Sequence, residues 1–261
     1  VSAVIFARPR HNYDSYQDMY SLIRLSGYPL IYFDELDPAS DNTYILTMVN
    51  GENQHGWQDA RARIILYDLE WRLNGDYPRI PGVAEVWAAD LWYAQQIAGR
   101  MDGRVRYVTL GSHPGLNMAP DDEADKAQDV IMLAYMTNRR LGIAAALRAR
   151  GLSLSDGGWG QERHRNILQT RVMLHVHQHD GISTIAPQRF ALAAAYRMPL
   201  ISETACEPGP VKDAVLWANY DALPEVVAER VRYGSLADYG EALYQVLCVE
   251  RPFRKCVEEA L

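Results

Sequence analysis

Short β-branched and aromatic runs alternate with amphipathic stretches along nearly the whole chain, a rhythm that predicts repeated β-α units around parallel sheets and an α/β fold. In the first half the runs predict strands at Ser2 to Phe6, Leu30 to Phe33, Tyr44 to Met48, Arg63 to Tyr67, Glu85 to Ala88 and Arg106 to Thr109. Helices are expected at Ser15 to Ser26, Gly56 to Ala62 and Asp90 to Gly99. The periodicity stops between Gly111 and Ala127, where Pro114, Gly115, Pro120 and the acidic residues Asp121, Asp122, Glu123 and Asp125 suggest a linker crossing solvent. It then restarts, with strands expected near Val130 to Leu133, Ser153 to Ser155, Val172 to His175, Leu200 to Ser202 and Ala214 to Trp217. The helices between them are expected at Arg139 to Arg150, Glu162 to Gln169 and Pro187 to Tyr196. Two further helical patterns close the chain, Pro224 to Tyr233 and Leu236 to the C-terminus, the second interrupted by Pro252. The expected organisation is a domain over residues 1–120, a second over 126–235, and a terminal helical segment over 236–261 that packs back on the first.

Composition narrows the classes of function. Apolar residues make up 48% and charged residues 23% of the chain, so it can bury a proper core. The net charge of -7 offers no general attraction for a polyphosphate, so nucleic acid is not the expected partner, although a local basic stripe is compatible with this charge. No apolar run approaches the roughly 18 to 20 residues needed to span a bilayer, and no signal-peptide layout opens the sequence, so a cytoplasmic protein is expected. Cys206, Cys248 and Cys256 are widely spaced, without a Cys-x-x-Cys pair, and read as reduced structural thiols.

Ligands of parallel sheets sit beyond the C-terminal ends of strands, and four segments lie there. Thr137, Asn138, Arg139 and Arg140 follow an apolar strand and open a helix. Free amides and two guanidinium groups there suit a diphosphate, while Thr137 or Asn138 equally suits an N-cap with the arginines solvated. In Asp180 to Pro187, Gly181 permits close backbone approach, and Ser183 and Thr184 place hydroxyls beside free amides; the same residues also serve as plain caps. His175, His177 and His179 fall on one face of a strand, as a metal-binding comb would. No acidic or sulfur partner is assignable, so no metal is expected and the rings are read as hydrogen-bond donors or, for His175, as structural. In Gly157 to Glu162, Trp159 offers a flat stacking surface and Gly160 close approach, with a core-plugging tryptophan as the alternative. The dinucleotide fingerprint is absent because position 163 is arginine, which disfavours a nicotinamide dehydrogenase.

Taken in order, the strand leading to Thr137-Asn138-Arg139-Arg140, then GWGQERH, VMLHVHQH and ISTIAPQRFALAAAYRMPLISE, this half resembles the donor half of a GT-B glycosyltransferase of the group-1 type found in bacteria and phages. The resemblance covers Asp129 to Glu203; in the first half only the pattern, with Tyr67-Asp68-Leu69-Glu70 and Leu110-Gly111-Ser112-His113, is similar. It implies two Rossmann-like domains with parallel sheets facing across a cleft, a nucleotide-diphosphate-sugar donor, no required cofactor, and an acceptor that is a small molecule, a glycan or a modified nucleobase. It further implies that Asn138, Arg139 and Arg140 face the donor phosphates, that Trp159 and Gly160 lie near the nucleoside, that His177 borders the sugar, and that Ser183, Thr184 and Arg189 line the diphosphate side. Two positions depart from the pattern: His175 stands where asparagine is common, and Leu192 where many retaining members carry an acid. A nucleotide-sugar-binding protein without turnover, and an epimerase on the same scaffold, are the competing readings.

An inverting transfer needs a general base on the acceptor side. His11, Asp14, Glu52 and Glu70 each follow a predicted strand end in the first half, with Glu70 first and Asp14 second as the expected base.

Overall fold

The computed structural model describes residues 2–11, 16–47, 57, 59–69, 82–99, 104–118, 126–155, 157–181 and 183–261. The chain divides into two compact units, Val1–Leu110 with Phe253–Leu261, and Gly111–Pro252.

In the first unit β1 (Val4–Arg8), β2 (Leu30–Tyr32), β3 (Thr43–Thr47), β4 (Arg63–Asp68), β5 (Val83–Ala88) and β6 (Arg104–Tyr107) form one sheet in the order β2-β1-β3-β4-β5-β6. Every pairing is parallel. Continuous apolar runs such as Ile64 to Tyr67 are what a sheet covered on both faces requires. α1 (Gln17–Leu25) buries Met19, Tyr20, Leu22 and Ile23, and α2 (Leu91–Ala98) starts where the Asp90 carboxylate accepts from the Tyr93 amide at 2.7 Å. The C-terminal helix Phe253–Ala260 also belongs to this unit. Its fully buried Phe253 packs against Phe6 and stacks on Tyr67, with ring centroids 5.7 and 6.5 Å apart. Near the start of β5, buried Glu85 accepts from Arg63 at 2.7 Å and Trp87 at 3.0 Å, and pairs with Arg106 at 2.8 Å. This cluster joins β4, β5 and β6.

The second unit carries β7 (Gln128–Ile131), α3 (Asn138–Ala149), β8 (Leu154–Ser155), α4 (Gly160–Leu168), β9 (Thr170–His175), α5 (Pro187–Ala195), β10 (Leu200–Glu203), β11 (Leu216–Ala218), α6 (Leu223–Tyr233) and α7 (Ala237–Tyr244). Its sheet runs β11-β10-β9-β7-β8, again all parallel. The connection from β8 returns past β7 to β9, so the sheet order reverses beside β7 and the loops leaving β7 and β9 diverge there. Val130, Val172, Leu174, Val176 and Ile201 share a core with Ile143, Ala144 and Leu147 of α3 and Val227 and Ala228 of α6. Alternation along β9 turns His175 and His177 to the opposite face, where Phe190 of α5 meets the His175 ring at 5.8 Å.

Two expectations are corrected. Residues 56–62 are not helical at their described positions: the Arg61 and Ala62 amides donate to the Pro38 carbonyl at 2.8 and 3.1 Å, which leaves no helical ladder. The start of the segment expected to cross solvent is anchored instead. Ser112 is fully buried, its hydroxyl donates to the Ala191 carbonyl at 2.6 Å, its amide donates to Leu247 at 2.8 Å, and Leu116 is buried too. The last helical pattern breaks where Pro252 interrupts it: α7 continues as a π-helical stretch, Gln245–Glu250, Arg251 leaves the helical region, and the chain restarts at Phe253. α7 and that stretch pack on α5.

Gly240 sets the seat of α7. A Cβ there would collide with the backbone carbonyl of Arg197, in the turn after α5. Gly240→Ala is expected to lower unfolding free energy by about 3 kcal/mol, read from urea denaturation; a loss near zero would show that the two helices separate freely.

Candidate functional site

The reversal of sheet order in the second unit brings together most of the residues singled out from the sequence. Thr137 is the N-cap of α3; its hydroxyl donates to the Gln178 carbonyl at 3.2 Å, fastening the β7–α3 loop to the β9–α5 loop. Asn138, the first helical residue, is exposed. Arg139 points to the C-terminal ends of β9 and β10. Its Nη1 and Nη2 donate to the two carboxylate oxygens of Glu203 at 2.6 and 2.5 Å, its Nε donates to Asp180 at 2.7 Å, and its guanidinium lies 3.9 Å from the Tyr220 ring centre. The carboxylates of Glu203 and Asp180 hold the Arg139 charge more firmly than burial opposes it, so its pKa is raised.

Arg140 faces inward. It is 3% exposed, and its Nε and Nη1 donate to the carbonyls of Val176 at 2.9 Å and Tyr135 at 2.8 Å. It staples the ends of β7 and β9, and burial, helped by neighbouring Arg139, pushes its pKa down to about 10. The two adjacent arginines thus have different surroundings: Arg139 is held mainly by carboxylates, with a further donation to the His177 carbonyl at 3.3 Å, whereas Arg140 is held by backbone carbonyls.

His175 and His177 lie ring to ring, 5.4 Å between centroids, and are 4% and 3% exposed. Arg189, on the first turn of α5, donates from Nη1 to His175 Nδ1 at 3.2 Å. The His177 amide donates to Glu203 at 2.9 Å. Nε2 of each ring is buried without a hydrogen-bond partner among the described residues. Burial holds both rings below the usual histidine pKa; beside it, Arg189, His177 and Arg140 act on His175, whereas at His177 the Glu203 carboxylate opposes the shift. His179 is exposed. Among the described residues no group of three or more His, Cys, Asp and Glu side chains is arranged to hold a metal ion.

The β9–α5 loop closes the same edge. Ser183 accepts from the Cys206 amide through its hydroxyl at 2.8 Å and its carbonyl at 3.2 Å, tying this loop to the one after β10. Thr184 is buried, and its backbone lies beside both imidazoles. Pro187 opens α5. Leu192 is 2% exposed within a stretch of α5 buried from Phe190 to Ala195, so an acid at this position would sit in the core. On the other side of β7, Gly157 has φ +84° and presses on Met132 and Leu133; a side chain would collide with Leu133. Trp159 caps α4 at 52% exposure, with Arg163 4.3 Å over its ring, and Gly160 follows with φ +56°.

Glu203 was not singled out from the sequence, although it ends the strand next to β9, the position from which a side chain reaches the reversal point. In the first unit Asp68 was passed over in the same way. It ends β4, is 5% exposed, and accepts from the Tyr93 hydroxyl at 3.0 Å. A polar residue closing the run Arg63 to Tyr67 was the available signal. Glu70, Asp14 and Glu52 lie outside the described residues, and His11 is exposed just beyond β1. No helix among the described residues is long and apolar enough to cross a membrane.

No protein-family model matches the chain, and no curated protein matches it in sequence. Solved structures do match in shape. A glycosyltransferase from Rickettsia africae ESF-5 has a TM-score of 0.62 at 9% identity over 99% of this chain and 97% of that one. The DNA-modifying enzyme β-glucosyltransferase, solved with and without uridine diphosphoglucose, has a TM-score of 0.59 at 11% identity over 99% of both chains. TarM has a TM-score of 0.54 at 9% identity over 87% of this chain; the chain spans about half the length of TarM, 55%. Two α/β units with wholly parallel sheets, matched over their full length by glycosyltransferase structures, are the fold of the GT-B glycosyltransferases.

Proposed function

We propose that the protein is a glycosyltransferase whose second unit holds a nucleoside-diphosphate sugar at the C-terminal edge of its sheet. The observation that carries the reading is the meeting, at the reversal of strand order, of the first turns of α3 and α5, the cations Arg139 and Arg189, and two buried imidazoles whose Nε2 atoms have no hydrogen-bond partner among the described residues. A dry donor nitrogen without a partner costs about 1–3 kcal/mol, which a ligand oxygen would recover. Amides of a first helical turn and guanidinium groups both favour oxyanions.

In this reading Arg189 and the Ser183 and Thr184 loop take the diphosphate, with Asn138 at the start of α3. Arg139 joins them by exchanging Asp180, which is 94% exposed and holds it weakly, for phosphate oxygen. His177 Nε2 faces the sugar, and Trp159 with Gly160 borders the nucleoside. Arg140 supports the phosphate site from beneath through the two loops it staples. Cleavage of the bond between the anomeric carbon and the diphosphate leaves negative charge that these groups stabilise, so the reading requires no further cofactor. An acceptor hydroxyl attacks the anomeric carbon and loses its proton to a first-unit carboxylate. Asp68 is the described candidate, buried at the end of a central strand and oriented by Tyr93; Glu70 and Asp14 are the candidates beyond the described residues.

Melting measured with uridine, guanosine, thymidine and adenosine diphosphates tests the donor. One of them should raise the midpoint, and none doing so would end the proposal. With the matching sugar nucleotide, Asp68→Asn should cut transfer by about a hundredfold or more while leaving the nucleotide-induced shift intact. Unchanged transfer would move the base to Glu70 or Asp14, tested in the same way. Turnover in EDTA should stay within about twofold of the untreated rate, and a collapse restored by a divalent cation would assign the leaving-group charge to a metal.

A further inference from the structure

Resting on the donor-site reading above, we infer that His175 is a positioning residue that sets Arg189 on the donor diphosphate, and that the site therefore works only while this ring is neutral.

The argument begins with the hydrogen bond itself. A guanidinium group has donors only, so the 3.2 Å contact from Arg189 Nη1 requires a lone pair on His175 Nδ1. The ring must carry its proton on Nε2, the nitrogen that is buried without a partner among the described residues. A second proton would put a cation against Arg189. Burial and the neighbouring cations oppose that proton, and the Thr184 backbone, which favours it, is outweighed. Arg189 faces the ring from α5, Arg140 from α3 and His177 from the same strand end, while the Phe190 ring and the Thr184 backbone close over it. No carboxylate is among these neighbours; Glu203 acts on His177 instead. Ser202, the register partner of His175 on β10, is fully buried and donates its hydroxyl to the Glu203 carbonyl.

An asparagine Oδ1 accepts from arginine as Nδ1 does, and it does not titrate. In this chain the same support carries a titratable group held well below the usual histidine pKa by burial and the neighbouring cations, so donor affinity should hold through mild acid and fall, by more than the ionisation of the nucleotide explains, only further into the acid range.

The test measures nucleotide binding by calorimetry, using the diphosphate that raises the melting midpoint most, on the full chain. Arg189→Ala should weaken binding about tenfold or more. His175→Phe should weaken it by about three- to tenfold in the otherwise unchanged protein and not further in the Arg189→Ala background, because the support has nothing left to hold. His175→Asn should bind within about twofold of the parent at pH 7.5 and lose less affinity than the parent as the pH is lowered from 6 to the acid limit at which both remain folded; each comparison uses the same nucleotide, so its own titration cancels. An equal effect of His175→Phe in both backgrounds, or none in either, overturns the inference. So does an acid profile of His175→Asn identical to the parent's, a comparison that stands even when His175→Phe fails to fold. Binding unaffected by Arg189→Ala overturns the placement of the diphosphate on Arg189 and the inference with it. A full loss there with no effect at His175 overturns the inference alone.

Discussion

The bidentate ion pair between Arg139 and Glu203 is the constraint around which the second unit's working edge is arranged. Glu203 ends β10, Arg139 opens α3 after β7, and Glu203 also accepts from the His177 amide after β9. One carboxylate therefore sets the separation of three strand ends. Both side chains are mostly withdrawn from water, at 14% and 10% exposure, so loss of either partner would strand a charge at a cost of about 3–5 kcal/mol. The exposed Asp180 contact contributes little by comparison.

Beneath that pair the architecture separates support from contact. Arg140 has its guanidinium on the backbone of both loops, below the surface where Arg139 meets side chains. The histidines divide in a comparable way: His175 meets Arg189, and His177 lies against the carboxylate that holds Arg139. Both rings depend on alternation along β9, which turns Val172, Leu174 and Val176 into the core shared with α3 and leaves the imidazoles facing α5. Ser183 and Cys206 close the edge by joining the loops after β9 and β10.

Much of this was legible residue by residue. The β-α rhythm located the strands that bear the site, since buried parallel strands need long apolar runs and helices need an apolar stripe. Thr137 as the cap of α3 and Pro187 as the first residue of α5 follow from local backbone chemistry, which acts over a few residues and leaves its mark in order. The helix expected at Gly56 to Ala62 failed because the amides of Arg61 and Ala62 found a partner more than twenty residues away, at Pro38. The segment after Gly111 looked solvated because its composition is that of a linker, yet Ser112 is anchored by α5 and by Leu247.

By itself the sequence determined the fold class, the strands and helices on which the site stands, and the two loops where cations and hydroxyls gather, all of which depend on local periodicity and capping. Tertiary structure alone decided which of two adjacent arginines is fastened to backbone beneath the loops, which imidazoles are buried, and that Glu203 and Asp68 are buried at the C-terminal ends of their strands. Those outcomes depend on which strand lies beside which and on what is buried between them. Spacing along a chain carries no record of neighbours brought together by the order of a sheet.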